Sequence, residues 1–360
     1  MWYWLAEPFL YVCFALVTGY IVLLLVPEAY RPVKHISSRV AYAASIGIGV
    51  FAFFPVLRIV SFFAADIGWG LTFQQVLFQF TEGQAYLFML LTSVVLGLLA
   101  KLHGRSGGTR ILLGMLLCLT LLILAQGWSS HMASWYGLLG ITAQTLHMLF
   151  ISLWVGPLLV AGWHPRQSGS WSGFLAWYHP MAILSMLVIA SSGFVLTIGA
   201  APEYVNAWKL SYGQALLIKH LLLVPLALFA VVNGFWMKKK LKRNSGAEPR
   251  KWAKAESLIL ILIFSVTGFM NQQPAPHKVS ITLNESPASP LYLWFTGGVL
   301  NKESDLLLSI NTGSIIAFIA AVVMFGAAVV YVKRRKAAMV VLWGLISMAV
   351  CYYAIMLAVV

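Results

Sequence analysis

The chain has 360 residues, of which 61% are hydrophobic and only 9% charged, and its mean hydropathy is +0.86. A soluble domain of this length needs far more charge to face water, so composition excludes one and points to a polytopic membrane protein in contact with a lipid bilayer. A net charge of +14 would suggest nucleic acid in a soluble chain, but here the basic residues gather in a few short loops, and no nucleic-acid partner is expected. Cys13, Cys118 and Cys351 stand isolated in apolar runs, with no CxxC, so neither a disulfide framework nor a thiolate metal site is indicated.

A spanning helix needs about 20 apolar residues. Ten such segments can be drawn, at roughly 8–27, 40–65, 84–100, 111–127, 136–161, 174–199, 213–237, 255–271, 314–332 and 338–358. The first lacks a basic leader and a cleavage site and reads as a retained helix rather than a signal peptide. Short loops rich in Lys and Arg stay cytoplasmic. Nineteen basic residues fall after segments one, three, five (Arg166), seven (KKKLKRNSGAEPRKWAK) and nine (KRRK), against Lys209, Lys278 and Lys302 on the opposite side. The expected fold is therefore all-α, a polytopic transmembrane bundle of about ten helices with both termini outside. Residues 272–313 form the one sizeable outer stretch, too short for a core of its own. Within it KVSITL alternates like a short strand, SPASP reads as a turn, and the whole is expected to cap the bundle.

The stretch from Trp128 to Gly156 carries the polar chemistry. A polar turn holds His131 and Met132, and the apolar run that follows holds His147 and Met148. Imidazole and thioether are transition-metal ligands, the thioether favouring Cu(I), and an ionisable group inside a membrane helix is costly enough to suggest function. Gly140, Gln144, His147, Ile151 and Trp154 share one helical face. A plain structural role for His147, a hydrogen bond to a neighbouring helix, competes with ligation. At 1.5 Å per residue His147 lies about 15–18 Å and His220 about 10 Å from the outer ends of their helices, so His131, His147, His220 and the outer-loop His277 fall at depths that permit convergence. Tyr212, Lys219 and Asn233 form a stripe on segment seven, interrupted by Pro225, and Lys219 is expected to make interhelical hydrogen bonds. Arg58 is expected to pair with Asp66 or Glu82, and Glu256 to favour the start of segment eight through the helix dipole. Tyr178, Ser185, Ser192 and Gly193 read as close helix packing.

Several of these stretches together resemble the CopD (copper resistance protein D) family of bacterial inner-membrane proteins. They are SSHMAS with His131; QTLHMLFISLWVGPLL with His147, Trp154 and Gly156; SYGQALLIKHLLLVPLALFAVVNGF with Tyr212, Gly213, Lys219 and Asn233; and AESLILILIFSVTGFMNQQPAPH with Glu256, Pro274 and His277. The resemblance covers about residues 5–277. It divides the chain into an eight-helix core (1–272), an extracytoplasmic loop (273–313) and a C-terminal transmembrane hairpin (314–360). Where the family often has Arg-Phe-Ser entering the sixth helix, this chain has Trp177-Tyr178-His179. The resemblance implies copper handling, as Cu(I) or Cu(II), at the cytoplasmic membrane and most often uptake. Because no CopC-type copper-binding domain is fused to the chain, it also implies a separate CopC-like donor.

Three functions follow. A copper permease would take the ion at His131, Met132 and His277 and pass it to His147 and Met148, with His220 at similar depth. No P-loop or phosphorylatable Asp motif is visible, so a pump or other enzyme is not expected. A b-type haem protein could use facing histidines such as His147 and His220 as axial ligands, and a copper chaperone could serve assembly of a membrane oxidase. Charge placement makes the topology testable. A cysteine introduced as Leu300→Cys should react with an impermeant reagent added outside, and Gly246→Cys should not. The reverse pattern would contradict the orientation.

Overall fold

A computed structural model describes residues 2–164, 169–243 and 248–359; Arg166 and part of the basic 238–254 loop lie outside the described residues. Ten helices among the described residues are long and apolar enough to cross a membrane, as the ten segments predict. The chain packs as two units, Met1–Leu196 and Thr197–Val360.

The first unit contains α1 (Ala6–Leu25), α2 (Ser38–Phe51), α3 (Phe53–Ile67), α4 (Trp69–Gln79), α5 (Thr81–Ser106), α6 (Thr109–Trp128), α7 (His131–Trp163) and most of α8 (Trp171–Ala200). The second apolar segment is broken between α2 and α3 at Ala52. Pro55, three residues on, has no N–H to give the preceding turn. Phe14, Val17 and Ile21 of α1 pack with Ile48, Leu96, Met115 and Leu122 in the apolar core. Apolar side chains gain little by leaving hydrocarbon solvent, so helix association depends on close approach. At the crossing of α1 and α7 a Cβ on Gly156 would lie 2.2 Å from the Ala15 carbonyl oxygen, and one on Gly19 would lie 2.3 Å from the Gly156 oxygen. Only two glycines allow the backbones to meet there.

The second unit contains α9 (Ser211–Val231), which continues through a π turn (Val232–Trp236) into α10 (Met237–Lys242), followed by α11 (Pro249–Asn271), α12 (Val279–Glu285), α13 (Pro290–Phe295), α14 (Thr312–Lys333) and α15 (Ala337–Leu357). KVSITL is not the strand its alternation suggested but the start of α12. Val279, Thr282 and Leu283 are buried at helical spacing, whereas Ile281, which a strand would have turned inward with Val279, is 51% exposed. The helix lays Val279 and Leu283 on Leu210, Leu216 and Met270, and Tyr292 of α13 packs with Trp208, Leu217 and Met356. Residues 279–295 thus cover apolar residues of this unit. Lys209 is fully buried and donates to the Ser304 carbonyl at 2.5 Å. Burial holds the Lys209 ammonium below its usual pKa, against the opposing pull of Asp305 and Glu203.

The C-terminal hairpin is tied into this unit by polar contacts. Tyr352 donates to Gln214 Oε1 at 2.5 Å and Gln214 Nε2 lies 3.6 Å from Met356 Sδ, while the bonds from Ser347 to the Ala321 carbonyl at 2.8 Å and from Asn311 Nδ2 to the Leu357 carbonyl at 2.6 Å close the hairpin on itself. Asn311 also caps α14 in a reciprocal pairing with Ser314.

Candidate metal site

His131 opens α7 and is exposed, while Met132 beside it is buried. The stretch expected as a turn is helical. Ser130 caps it by accepting from the Ala133 N–H at 3.2 Å. At Gly137 the backbone leaves the helical region (φ 52, ψ −127), a conformation that favours glycine. The short helix before it is thereby set against the long one, so close that a Cβ on Gly140 would lie 1.9 Å from the Met132 carbonyl oxygen. His131 and Met132 are fixed at the mouth of α7 by this fold-back.

Deeper in α7, His147 Nδ1 lies 3.1 Å from Ser192 Oγ on α8. Ser192 Oγ is itself 2.6 Å from the Val188 carbonyl, which can only accept. The serine proton is therefore spent, Nδ1–H is the donor to Ser192, and in the neutral ring the lone pair lies on Nε2. Metal-binding imidazoles are oriented in this way, by a hydrogen bond on the other nitrogen. The hydrogen bond to a neighbouring helix that a structural role requires is thus present, and it leaves Nε2 the basic atom. Gly193 lets α8 approach, since a Cβ there would sit 3.2 Å from His147 Cε1. Tyr178 donates to the Trp154 carbonyl at 2.9 Å, so the packing stripe read on segment six does join α7 and α8. Met148 turns the other way and is buried in the apolar core with Met115 and Leu122.

His220 and His277 belong to the second unit. His277 Nδ1 lies 2.8 Å from the Gly199 carbonyl, so it too donates from Nδ1, and in the neutral ring the lone pair lies on Nε2. His220 Nδ1 is 2.7 Å from the Tyr204 hydroxyl, with the rings stacked at 5.6 Å between centroids. Burial pushes the Tyr204 phenol up to about 12, so it keeps its proton at neutral pH. Lys219 makes no hydrogen bond or ion pair among the described residues, and the interhelical bonds expected of it are not found there.

The other intramembrane polar residues acquire partners that differ from expectation. Asn233 stands in the π turn, and its Nδ2 donates to Glu256 Oε2 at 2.6 Å, both residues being buried. Glu256 lies two turns inside α11, which begins at Pro249, so it does not serve the helix entry. A π turn displaces a side chain from regular helical phase, and here it brings Asn233 to α11. The acid acting on Arg58 is Glu7, not the expected Asp66 or Glu82. Glu7 also accepts from Tyr11 at 2.8 Å. The roles of Glu7, Ser192 and Tyr204 were missed by sequence reasoning. Glu7 beside Pro8, an acid at the mouth of an apolar run, was a readable signal; Tyr204, in an irregular segment, offered none.

Among the described residues no three His, Cys, Asp or Glu side chains come together as a metal cage. His131, Met132, His147 and Met148 lie in the first unit and His220 and His277 in the second. In chemical terms the molecule offers two imidazoles, His147 and His277, that donate from Nδ1, and a third, His220, that meets the Tyr204 hydroxyl there.

Fold and site together define an all-α, multi-pass membrane protein with polar groups set inside its helices. Residues 172–270 match the family model described as CopD, copper resistance protein D, which bears out the resemblance to the CopD family over that stretch. The matched segment includes Lys219, His220, Asn233 and Glu256, while His131 and His147 precede it and His277 follows it. No curated protein and no solved structure matches the chain.

The Asn233–Glu256 contact gives a stability prediction. Asn233→Leu takes a 2.6 Å donor from a buried carboxyl and should lower stability in detergent by about 1–3 kcal/mol. Glu256→Gln, whose amide oxygen still accepts, should cost less. Thermal melts of both variants that match wild type would contradict the pairing.

Proposed function

We propose that the protein carries copper ions across the bacterial cytoplasmic membrane, toward the cytoplasm. The observation that supports this most is the CopD segment at 172–270, a family described by copper resistance. The ligand chemistry agrees with it. His131 and the Met132 thioether at the mouth of α7 are suited to receive the ion, and His147 Nε2, oriented by Ser192, is the next basic atom along that helix. His277 Nε2 offers a basic atom of the same kind in the second unit, whereas His220 accepts from the Tyr204 hydroxyl at Nδ1 and so carries its ring hydrogen on Nε2. Met148, packed in the core, is the weakest of the sequence candidates. Sparse ligation suits movement, because an ion held by a full cage leaves slowly, whereas conduction needs sites weak enough to release. In this reading residues 1–272 form the transport core, 273–313 its outer cover and 314–360 a supporting hairpin. Delivery from outside falls to a separate copper-binding protein of the CopC kind.

Copper accumulation measured by mass spectrometry in cells making the protein tests this. Wild type should raise cellular copper above the empty-vector level. The double variant His131→Ala/His147→Ala should return it to that level while folded protein stays in the membrane. Ser192→Ala, which removes the group that orients His147, should weaken apparent copper affinity by about 10-fold or more. Unchanged accumulation in the double variant would make both histidines structural and overturn the assignment.

A further inference from the structure

The second unit has a cleft of about 370 Å³ between the end of α9 and α14. Leu228, Val232, Trp236 and Lys239 line one wall and Val329 and Val332 the other. From Leu228 to Lys239 the cleft follows eleven residues of helix, about 16 Å at 1.5 Å per residue, comparable with much of an acyl chain. Its lining is apolar until the end, where the sequence becomes strongly basic. Lys239 sits at the rim, and Lys240 lies over the Trp236 ring, 3.5 Å from its centroid. Arg335, from the turn that links α14 to α15, is near enough to act on the charge of Lys240. That turn holds Arg335 at φ 59, an uncommon conformation for a residue with a Cβ, and leaves Lys333, Arg334, Arg335 and Lys336 all exposed. Among the described residues Lys239, Arg334 and Arg335 have no acidic partner within ion-pair distance.

Like charges gathered on two helix ends repel one another unless an anion lies between them. An apolar cleft that opens under such a cluster matches one chemical class, a lipid with an anionic head and an acyl tail. We propose that this cleft binds an anionic phospholipid, one acyl chain lying along Val232 and Val329 and the phosphate held by Lys239 and Arg335. Basic pockets between helices on the cytoplasmic face bind anionic head groups for the same reason. The site is separate from the copper-binding candidates, and it joins the CopD segment to the C-terminal hairpin at the level of the bilayer surface. Bulk lipid would cover any apolar helix face, whereas this site requires selectivity for the anionic head and dependence on the cleft.

Native mass spectrometry of the purified full chain tests this, with phosphatidylglycerol or phosphatidylcholine added at equal concentration. Wild type should retain phosphatidylglycerol in preference to phosphatidylcholine. Lys239→Gln/Arg335→Gln should weaken phosphatidylglycerol binding by about thirty-fold, the effect of two cations near a charged head group. Val329→Trp, which fills the cleft and keeps every charge, should also abolish the preference. Its melting temperature shows whether it is folded, and the charge variant, altered only at the surface, tests the site independently. Soluble glycerol 3-phosphate should not compete. Equal retention of the two lipids, a preference that survives both variants, or full competition by glycerol 3-phosphate would each overturn the proposal.

Discussion

The bilayer core offers no water, so a polar group carried into it is costly unless it finds a partner within the protein. Most of the polar chemistry in this molecule follows from that constraint. Many intramembrane hydroxyls bond back to the preceding turn, as Thr18 does to Phe14 and Ser45 to Ala41, at 2.8 and 2.7 Å, although those of Thr145, Ser152 and Ser185 do not. Larger polar groups reach across to another helix, as His147 does to Ser192 and Asn233 to Glu256. These cross-helix bonds do more than satisfy a donor. In the neutral ring the bond from His147 Nδ1 selects the tautomer whose Nε2 has the lone pair, so a contact required by the solvent also fixes which ring nitrogen is basic.

Backbone geometry supplies what the solvent does not. In hydrocarbon, apolar burial gives little drive for helices to associate, and packing distance matters more. Gly19 and Gly156 let α1 and α7 touch through their backbones, and α7 is the helix that carries His131 and His147. The fold-back at Gly137 over Gly140 then holds His131 and Met132 at the head of the same helix. One helix thus presents two candidate ligand positions, at its mouth and farther along.

The spans were legible because hydropathy and length are properties of a single segment, and the ten helices fall close to the segments read from them. Partner identity was less legible, because it depends on which helices become neighbours. Arg58 is expected to pair with Asp66 or Glu82, the acids that follow it in the chain, yet the acid that acts on it is Glu7 of α1. KVSITL reads as a strand because six residues fit both periods. Val279 and Leu283 would be buried by either, and only Thr282 and Ile281 distinguish helix from strand, through their burial in the folded unit. The displacement of Asn233 by a π turn has no signature in the residues themselves, and neither has the stacking of Tyr204 on His220. The family resemblance extended over residues 5–277, and the match to the CopD model falls on 172–270, so the His131 and His147 assignments rest on their own chemistry.

The central claim is that copper moves through this protein by way of an imidazole in α7. Purified wild type and His147→Ala, each reconstituted in vesicles that enclose a copper-sensitive dye, measure this directly. Wild-type vesicles should fill with copper faster than protein-free vesicles, and His147→Ala vesicles should fill no faster than protein-free ones. Wild-type vesicles that take up copper only at the protein-free rate would contradict the account.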